Sequence, residues 1–232
     1  GGGNGIFTQL KKANIACTDI HHMFITHAHT DHLLGMVWMV RNIAMMINNG
    51  KYEGTLTIYC HDEVKETLLT ICHLTLPQKI MLPIGNRILI QEVKDGDKAE
   101  IANIKLSFFD IASTKMNQFG FQAILPNQKT LVCLGDEPYN EKSRRYVAHC
   151  DWLLCEAFCL YADKERFKPY EKHHSTALDA GRLAEELNVK NLLLYHTEDK
   201  NIKERKHKYS QEASRLFKGN IFVPDDLEII TL

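Results

Sequence analysis

The segment that most constrains this chain is FITHAHTDHLLG, Phe24 to Gly35, which sets His27, His29, Asp31 and His32 within six residues. It closes one apolar run, HHMFIT, and opens another, Leu33 to Asn48. A strand therefore has to stop, and a helix start, at the cluster. In extended backbone, side chains at i and i+2 point the same way, so His27 and His29 can present imidazoles to one cation. Asp31 and His32 follow as the chain bends into the helix and can face a second cation. Neutral imidazole and carboxylate suit Zn2+, and other first-row ions less selectively. Two ions ~3.5–4 Å apart can share a water, lower its pKa and hold a phosphoryl group. Such a pair needs a bridging carboxylate and a further histidine. Asp136 in CLGDEP and His196 in LLLYHTED stand where strands end and can supply them.

The rest of the chain narrows the classes available. It has 232 residues, 44% hydrophobic and 25% charged, enough for a sizeable core in one domain or two. The net charge of -1 lacks the basic excess expected of a protein that grips many phosphates of a long nucleic acid. The seven cysteines are odd in number, form no C-x-x-C pair and sit mostly in apolar runs. That predicts buried free thiols in a reducing cytoplasm. No apolar run reaches the ~18 residues of a membrane span.

Strand and helix signals alternate to the end. Strands are expected at HHMFIT, TLTIYC, ILIQEV, DGDKAEI, IKLSFFDI, DWLLCEA, NLLLYHT and LEIITL, with FGFQAILP and KTLVCLG as a hairpin. Helices are expected at IFTQLKKAN, Leu33–Asn48, Asp62–His73, near Asn140–His149, at Ser175–Leu187 and near Ile202–Phe217. His27, Asp136, Glu156 and His196 all fall just after or at the ends of strands, the rim where α/β folds place their sites. The basic stretch KNIKERKHKYSQEASR is the one candidate nucleic-acid patch, and its interleaved Glu198, Glu204 and Glu212 point instead to a solvated helix face.

These residues resemble the metallo-β-lactamase superfamily, and within it the ribonuclease Z-like branch. THAHTDH matches the H-x-H-x-D-H signature, LGDE resembles the G-D motif, and LLLYHTE resembles the late strand that ends in a metal histidine. DWLLCEA with Glu156 and HSTALDAGRLAEE with His174 resemble pieces particular to the ribonuclease Z-like branch. The resemblance runs from Gly1 to about Thr197. It implies an α/β (α+β) four-layer αββα sandwich spanning 1–232 as a single hydrolase domain. The opening GGGNG resembles the turn after an early strand of that fold, so the first N-terminal strands are expected to be lacking; a cloning remnant is the other reading. The resemblance further implies that His27 and His29 bind one zinc, that Asp31, His32 and His196 bind the other, and that Asp136 bridges them. Asp31 would also orient or deprotonate the attacking water. His174 would be the general acid for the leaving oxygen, held by Glu156; a histidine braced by a carboxylate is a suitable donor near neutral pH. On residue chemistry alone, Glu156 could be a surface glutamate and His174 a neighbour of an N-cap Ser175.

Two departures from the family pattern stand out. A third histidine for the first ion, six residues before a G-Y or G-F pair, is replaced by Thr114, ahead of Gly120-Phe121. Asp110 is a nearby carboxylate that could substitute; otherwise water fills the place, or the ion is lost. Lys115 and Gln118 in STKMNQFGF could serve the substrate, although a lysine there is more often a solvated surface residue. The long arm with which ribonuclease Z clamps tRNA is also missing, since FQAILPNQKTLVCLGD joins its two flanking motifs directly. The expectation is therefore a metal-dependent phosphodiesterase acting on a small or single-stranded substrate rather than on tRNA. It would use one or two Zn2+ ions, with Mn2+ or Fe2+ as substitutes, and the resemblance admits a homodimer. The alternatives are a thioester or lactam hydrolase of the same superfamily and a metal-binding protein without catalysis.

Overall fold

The computed structural model describes residues 2–3, 5–200 and 202–232. Gly1 and Asn4 of the opening glycine-rich run, and Asn201 of the basic stretch, lie outside the described residues. The chain forms two compact units, Gly1–Lys94 and Asp95–Leu232.

In the first unit a short helix, α1 (Ile6–Lys12), precedes three parallel strands in the order β1 (His22–Phe24), β2 (Leu56–Cys60) and β3 (Ile88–Glu92). Helix α2 (Thr30–Asn48) returns the chain from β1 to β2, and α3 (Asp62–Thr75) with the short α4 (Gln78–Met81) returns it from β2 to β3. Parallel neighbours require such crossovers. Helix α2 buries Leu33, Met36, Met39, Val40, Ile43 and Ala44, a stripe at helical spacing, among Leu56, Ile58 and Cys60 of β2 and Leu68 and Cys72 of α3. Gly35 interrupts this stripe for a steric reason. A Cβ there would lie 2.2 Å from the carbonyl oxygens of both Gly2 and Gly3. The Gly35 N–H donates to the Gly2 carbonyl at 2.6 Å, so the described part of the opening run packs on the first turns of α2.

The second unit is a seven-stranded sheet ordered β10-β9-β8-β7-β6-β5-β4. Strands β4 (Lys98–Ile101), β5 (Ile104–Asp110), β6 (Phe119–Ile124) and β7 (Thr130–Cys133) form an antiparallel meander. Strands β8 (Trp152–Glu156), β9 (Asn191–Tyr195) and β10 (Asn220–Phe222) continue it in parallel with β7. Short helices α5 (Arg144–Val147) and α6 (Lys164–Phe167), then α7 (Ala177–Glu186) and α8 (Arg205–Ala213), fill the connections. Its core joins Phe109, Val132, Leu153, Leu192 and Leu194 of the sheet to Ala180, Ala184, Tyr209 and Ala213 of the helices. Gly181 lets α7 approach α8 closely, for a Cβ there would meet the Ala213 carbonyl at 2.5 Å. Because β7, β8 and β9 run parallel, their C-terminal ends share one edge of the sheet. The end of β5 and the start of β6 reach the same edge, since Asp110 pairs with Phe119.

The expected hairpin is present: β6 and β7 are joined by residues 125–129, with Leu125 N–H bonded to the Lys129 carbonyl at 2.9 Å. Other expectations are corrected. LEIITL is not a strand; the place beside β9 is taken by β10, Leu227 has φ 66 and Ile229 is 90% exposed. The helix expected near Asn140–His149 is a single 3-10 turn followed by the four residues of α5. Helix α2 starts at Thr30, so Asp31 and His32 lie inside its first turn. The face of α8 is not wholly solvated either. Glu212 is buried and accepts the Tyr161 and Leu178 N–H groups at 2.7 and 3.2 Å. Glu198 is buried as well and accepts Lys200 N–H, and only Glu204 is exposed, paired with Lys208 at 2.6 Å. The basic patch is locally neutralised: Arg205 and Lys206 both pair with Asp225, at 3.2 and 3.0 Å.

Candidate active site

In the first unit the histidine cluster is assembled by the end of β1 and the start of α2. His27 is fully buried, with its Nδ1 2.9 Å from Thr26 Oγ1 and its Nε2 3.0 Å from His29 Nδ1. The His27 and His32 rings lie 4.2 Å apart, and His32 Nε2 is 3.4 Å from Asp31 Oδ2. His29 is the N-cap residue of α2 in extended backbone, and Asp31 in the first turn is favoured by the positive end of the helix. Two nitrogens bound to one tetrahedral zinc at ~2.0–2.1 Å lie roughly 3.3 Å apart. The separation of the His27 and His29 nitrogens is near that, so these donors fit a divalent cation.

In the second unit three strand-end residues, Asp136, Glu156 and His196, meet His174 of the loop before α7 at the shared edge. Asp136 follows β7 through Leu134 and Gly135; Gly135 has φ 74, which favours glycine. The Asp136 backbone N–H donates to Gln118 Oε1 at 3.3 Å, and the Tyr195 hydroxyl donates to the Gly135 carbonyl. Neither supporting residue is evident as such in the sequence: Gln118, expected to face substrate, is fully buried and holds the Asp136 turn. His196 follows β9 with φ 54, a left-handed conformation uncommon for a residue other than glycine. Its Nε2 lies 3.4 Å from Asp136 Oδ2 and its Nδ1 4.0 Å from Glu156 Oε2.

Glu156 ends β8 and is fully buried. One oxygen accepts the Ser175 N–H at 2.5 Å, and the other lies 3.4 Å from His174 Nδ1, within ion-pair reach but not aligned as a hydrogen bond. Burial works to raise the Glu156 carboxyl, but His174, His196 and the Ser175 N–H outweigh it and hold the group below its ordinary range. The reading of Glu156 as a surface residue is thus corrected. So is that of Ser175 as N-cap: Thr176 caps α7, with its hydroxyl accepting Asp179 N–H in a reciprocal box. Ser175 instead bonds Glu156 through both its N–H and its hydroxyl. Phe158 stacks on the His174 ring at 4.8 Å and fixes its plane. The Glu156, His174 and His196 donor atoms lie within 4.8 Å of one another. Of these residues His196, with Asp136 beside it, offers an imidazole and a buried carboxylate that fit a divalent metal.

At the position of the absent third histidine, Thr114 is exposed and its hydroxyl lies 2.8 Å from His173 Nδ1. Asp110 is occupied locally, with Oδ1 accepting Ala112 N–H at 2.7 Å. No metal-ligand group among the described residues includes it. All seven cysteines are free. Burial pushes Cys60 and Cys150 up to about 12, which leaves them unsuited as nucleophiles at neutral pH. Among the described residues no helix is long and apolar enough to cross a membrane.

Comparison with known proteins shows the family. The family model of the beta-lactamase superfamily domain matches residues 3–197, and the chain belongs to that family. Within it the chain is ribonuclease Z-like. A ribonuclease Z of Phocaeicola vulgatus is 26% identical over 278 aligned positions, covering 98% of this chain and 85% of the relative. Among solved structures, the short form of human tRNase Z matches with a TM-score of 0.74 at 18% identity, over 99% of this chain and 85% of the other. The metallo-β-lactamase fold protein YhfI of Bacillus subtilis matches with a TM-score of 0.73 at 18% identity, over 97% and 82%. The fold is that of the metallo-β-lactamases, and membership of the superfamily implies a divalent metal.

Proposed function

We propose that residues 1–232 form one catalytic domain, a metal-dependent hydrolase of phosphodiesters that acts in the cytoplasm. The observation that carries this reading is His174 braced by the buried carboxylate of Glu156 beside Asp136 and His196. A thioester expels a thiolate, which leaves without a proton, whereas the alkoxide expelled from a phosphodiester needs a donor. His27, His29, Asp31, His32, Asp136 and His196 would hold the metal. Zn2+ suits these donors best, with Mn2+ or Fe2+ as substitutes. When bound, the metal supplies Lewis acidity and lowers the pKa of water. Asp31 orients and deprotonates the attacking water. His174 delivers a proton from Nε2 to the leaving oxygen, and Glu156 at Nδ1 keeps the ring oriented and stabilises its charged form. Thr114 would supply no imidazole beside His27 and His29.

The tight turn between β6 and β7 supports a small or single-stranded substrate, because the tRNA-clamping arm of the family would occupy that connection. The free thiols fit a reducing compartment. The test is hydrolysis of bis(p-nitrophenyl) phosphate and of short single-stranded RNA by metal-loaded protein. Turnover is expected for both, abolished by chelation and by Asp136→Ala. Absence of turnover in protein shown by elemental analysis to carry metal would overturn the reading.

A further inference from the structure

The loop between β5 and β6 carries a device that the reaction above does not use. Glu137, next to Asp136, is only 4% exposed, yet it faces a loop rather than a cation. Its Oε1 accepts the Ser113 hydroxyl at 2.7 Å and the Lys115 N–H at 3.3 Å, and its Oε2 accepts the Thr114 N–H at 3.2 Å. The Ser113 Oγ accepts the Lys115 and Met116 N–H groups in turn, each at 3.3 Å. A desolvated carboxylate with several donors is costly to leave unmet, so it fixes the loop that supplies them. The fixed loop sets Lys115 Nζ 3.1 Å from His174 Nε2. The same Nε2 is the atom that faces the leaving oxygen, so the ammonium stands beside the leaving group. Among the described residues no carboxylate pairs with this ammonium. A lysine head and an imidazole nitrogen converging on one point make a place for an anionic oxygen, which would give both a partner.

We propose that Lys115 contacts the substrate, binding a non-bridging oxygen of the phosphoryl group beside His174, and that Glu137 is the positioning residue that presents it. The inference rests on the hydrolase reading and deepens it, since it makes the site selective for phosphorus over carbon centres. A phosphodiester offers a charged oxygen at this point, and a neutral ester, thioester or lactam does not.

Two measurements test it separately from that reading. The first is titration of the protein with inorganic phosphate, followed by the His174 side-chain resonances in Lys115→Met, Lys115→Arg and the parent. A saturable shift is expected in the parent, with affinity about tenfold weaker or worse in Lys115→Met and largely restored in Lys115→Arg. The second is kcat/KM on bis(p-nitrophenyl) phosphate and on p-nitrophenyl acetate. Lys115→Met is expected to lower the first by about ten- to a hundredfold and leave the second within about twofold. Lys115 is exposed, so its variants should fold; Glu137→Gln should weaken phosphate binding in the same direction. Equal phosphate affinity in the parent and Lys115→Met overturns the inference whether or not any ester is hydrolysed. Phosphate binding that depends on Lys115 without diester turnover keeps the anion site and sinks the hydrolase reading. Diester turnover indifferent to Lys115→Met does the reverse.

Discussion

The two groups of titratable residues are built in different ways. The His27, His29 and His32 cluster is local: one strand end and one helix start set three imidazoles against each other, with Asp31 largely exposed beside them. The Asp136, Glu156, His174 and His196 group is collected from loops up to 60 residues apart, at the common edge of parallel strands. The first has no buried carboxylate among its own residues; the second has two, Asp136 and Glu156. A cluster of imidazoles alone gains most from a cation, whereas imidazoles paired with buried carboxylates can also store and deliver a proton. On the function proposed above, the first group would hold metal and the second would combine metal holding with proton delivery.

The assignment can be broken by substitution. Asp136→Ala should have the largest effect, lowering kcat/KM on a phosphodiester by at least about a thousandfold and reducing metal content in elemental analysis. His27→Ala should lose metal too; retention of full metal content in His27→Ala would undo the role given to the first group. His174→Ala should keep its metal yet lose about a hundredfold or more in kcat on an alkyl diester. The loss should shrink sharply with p-nitrophenolate as leaving group, which needs little protonation. An equal loss on both substrates would make His174 a binding residue rather than a proton donor. A fourth substitution sharpens the structural side. Gly35→Ala puts a methyl 2.2 Å from two backbone carbonyl oxygens that cannot swing away, whereas a Cβ at Gly5 meets nothing within 4 Å. Gly35→Ala should destabilise by about 2–3 kcal/mol in urea denaturation and Gly5→Ala by well under 1 kcal/mol.

Legibility in the sequence follows the same division. The first cluster can be read directly because its chemistry demands close spacing, and the alternation of apolar runs announces the strand and helix around it. Asp136, Glu156 and His196 can be read as strand ends, but their meeting depends on β7, β8 and β9 being parallel neighbours in that order, which periodicity alone does not give. His174 is legible only by family resemblance, since its placement comes from the Ser175–Glu156 bonds rather than from its own helix. Glu137 and Tyr195 escape the reading altogether, being one an acid in a turn and the other a strand aromatic. The signal for Glu137 was its apolar setting, LGDEPY, where a solvated acid is out of place. The false strand at LEIITL shows the opposite error: an apolar run that begins in a turn, with Leu227 at φ 66, pairs with no strand among the described residues and leaves Ile229 exposed.

A smaller effect than that at Gly35 is expected at the end of β8 opposite to Glu156, and it separates fold stability from chemistry. Asp151 accepts Lys190 Nζ at 2.6 Å and the Thr130 N–H at 2.8 Å, joining the start of β8 to β7 and to the approach of β9. These partners, the Lys190 ammonium foremost, hold its carboxyl below the ordinary value of 3.8. A carboxyl depressed in the folded state contributes stability at every pH above its unfolded value. That contribution fades as pH falls from the ordinary carboxyl range through the lower folded value. Asp151→Asn should therefore cost about 1–2 kcal/mol at pH 7, the same at pH 5, and distinctly less at pH 3. Urea unfolding at the three pH values measures it. Turnover per folded molecule should be unchanged, because Asp151 stands at the far end of the strand from Glu156. A loss of turnover with stability intact would mean that the β8 register, and not only the residues at its C-terminal end, sets the geometry of His174.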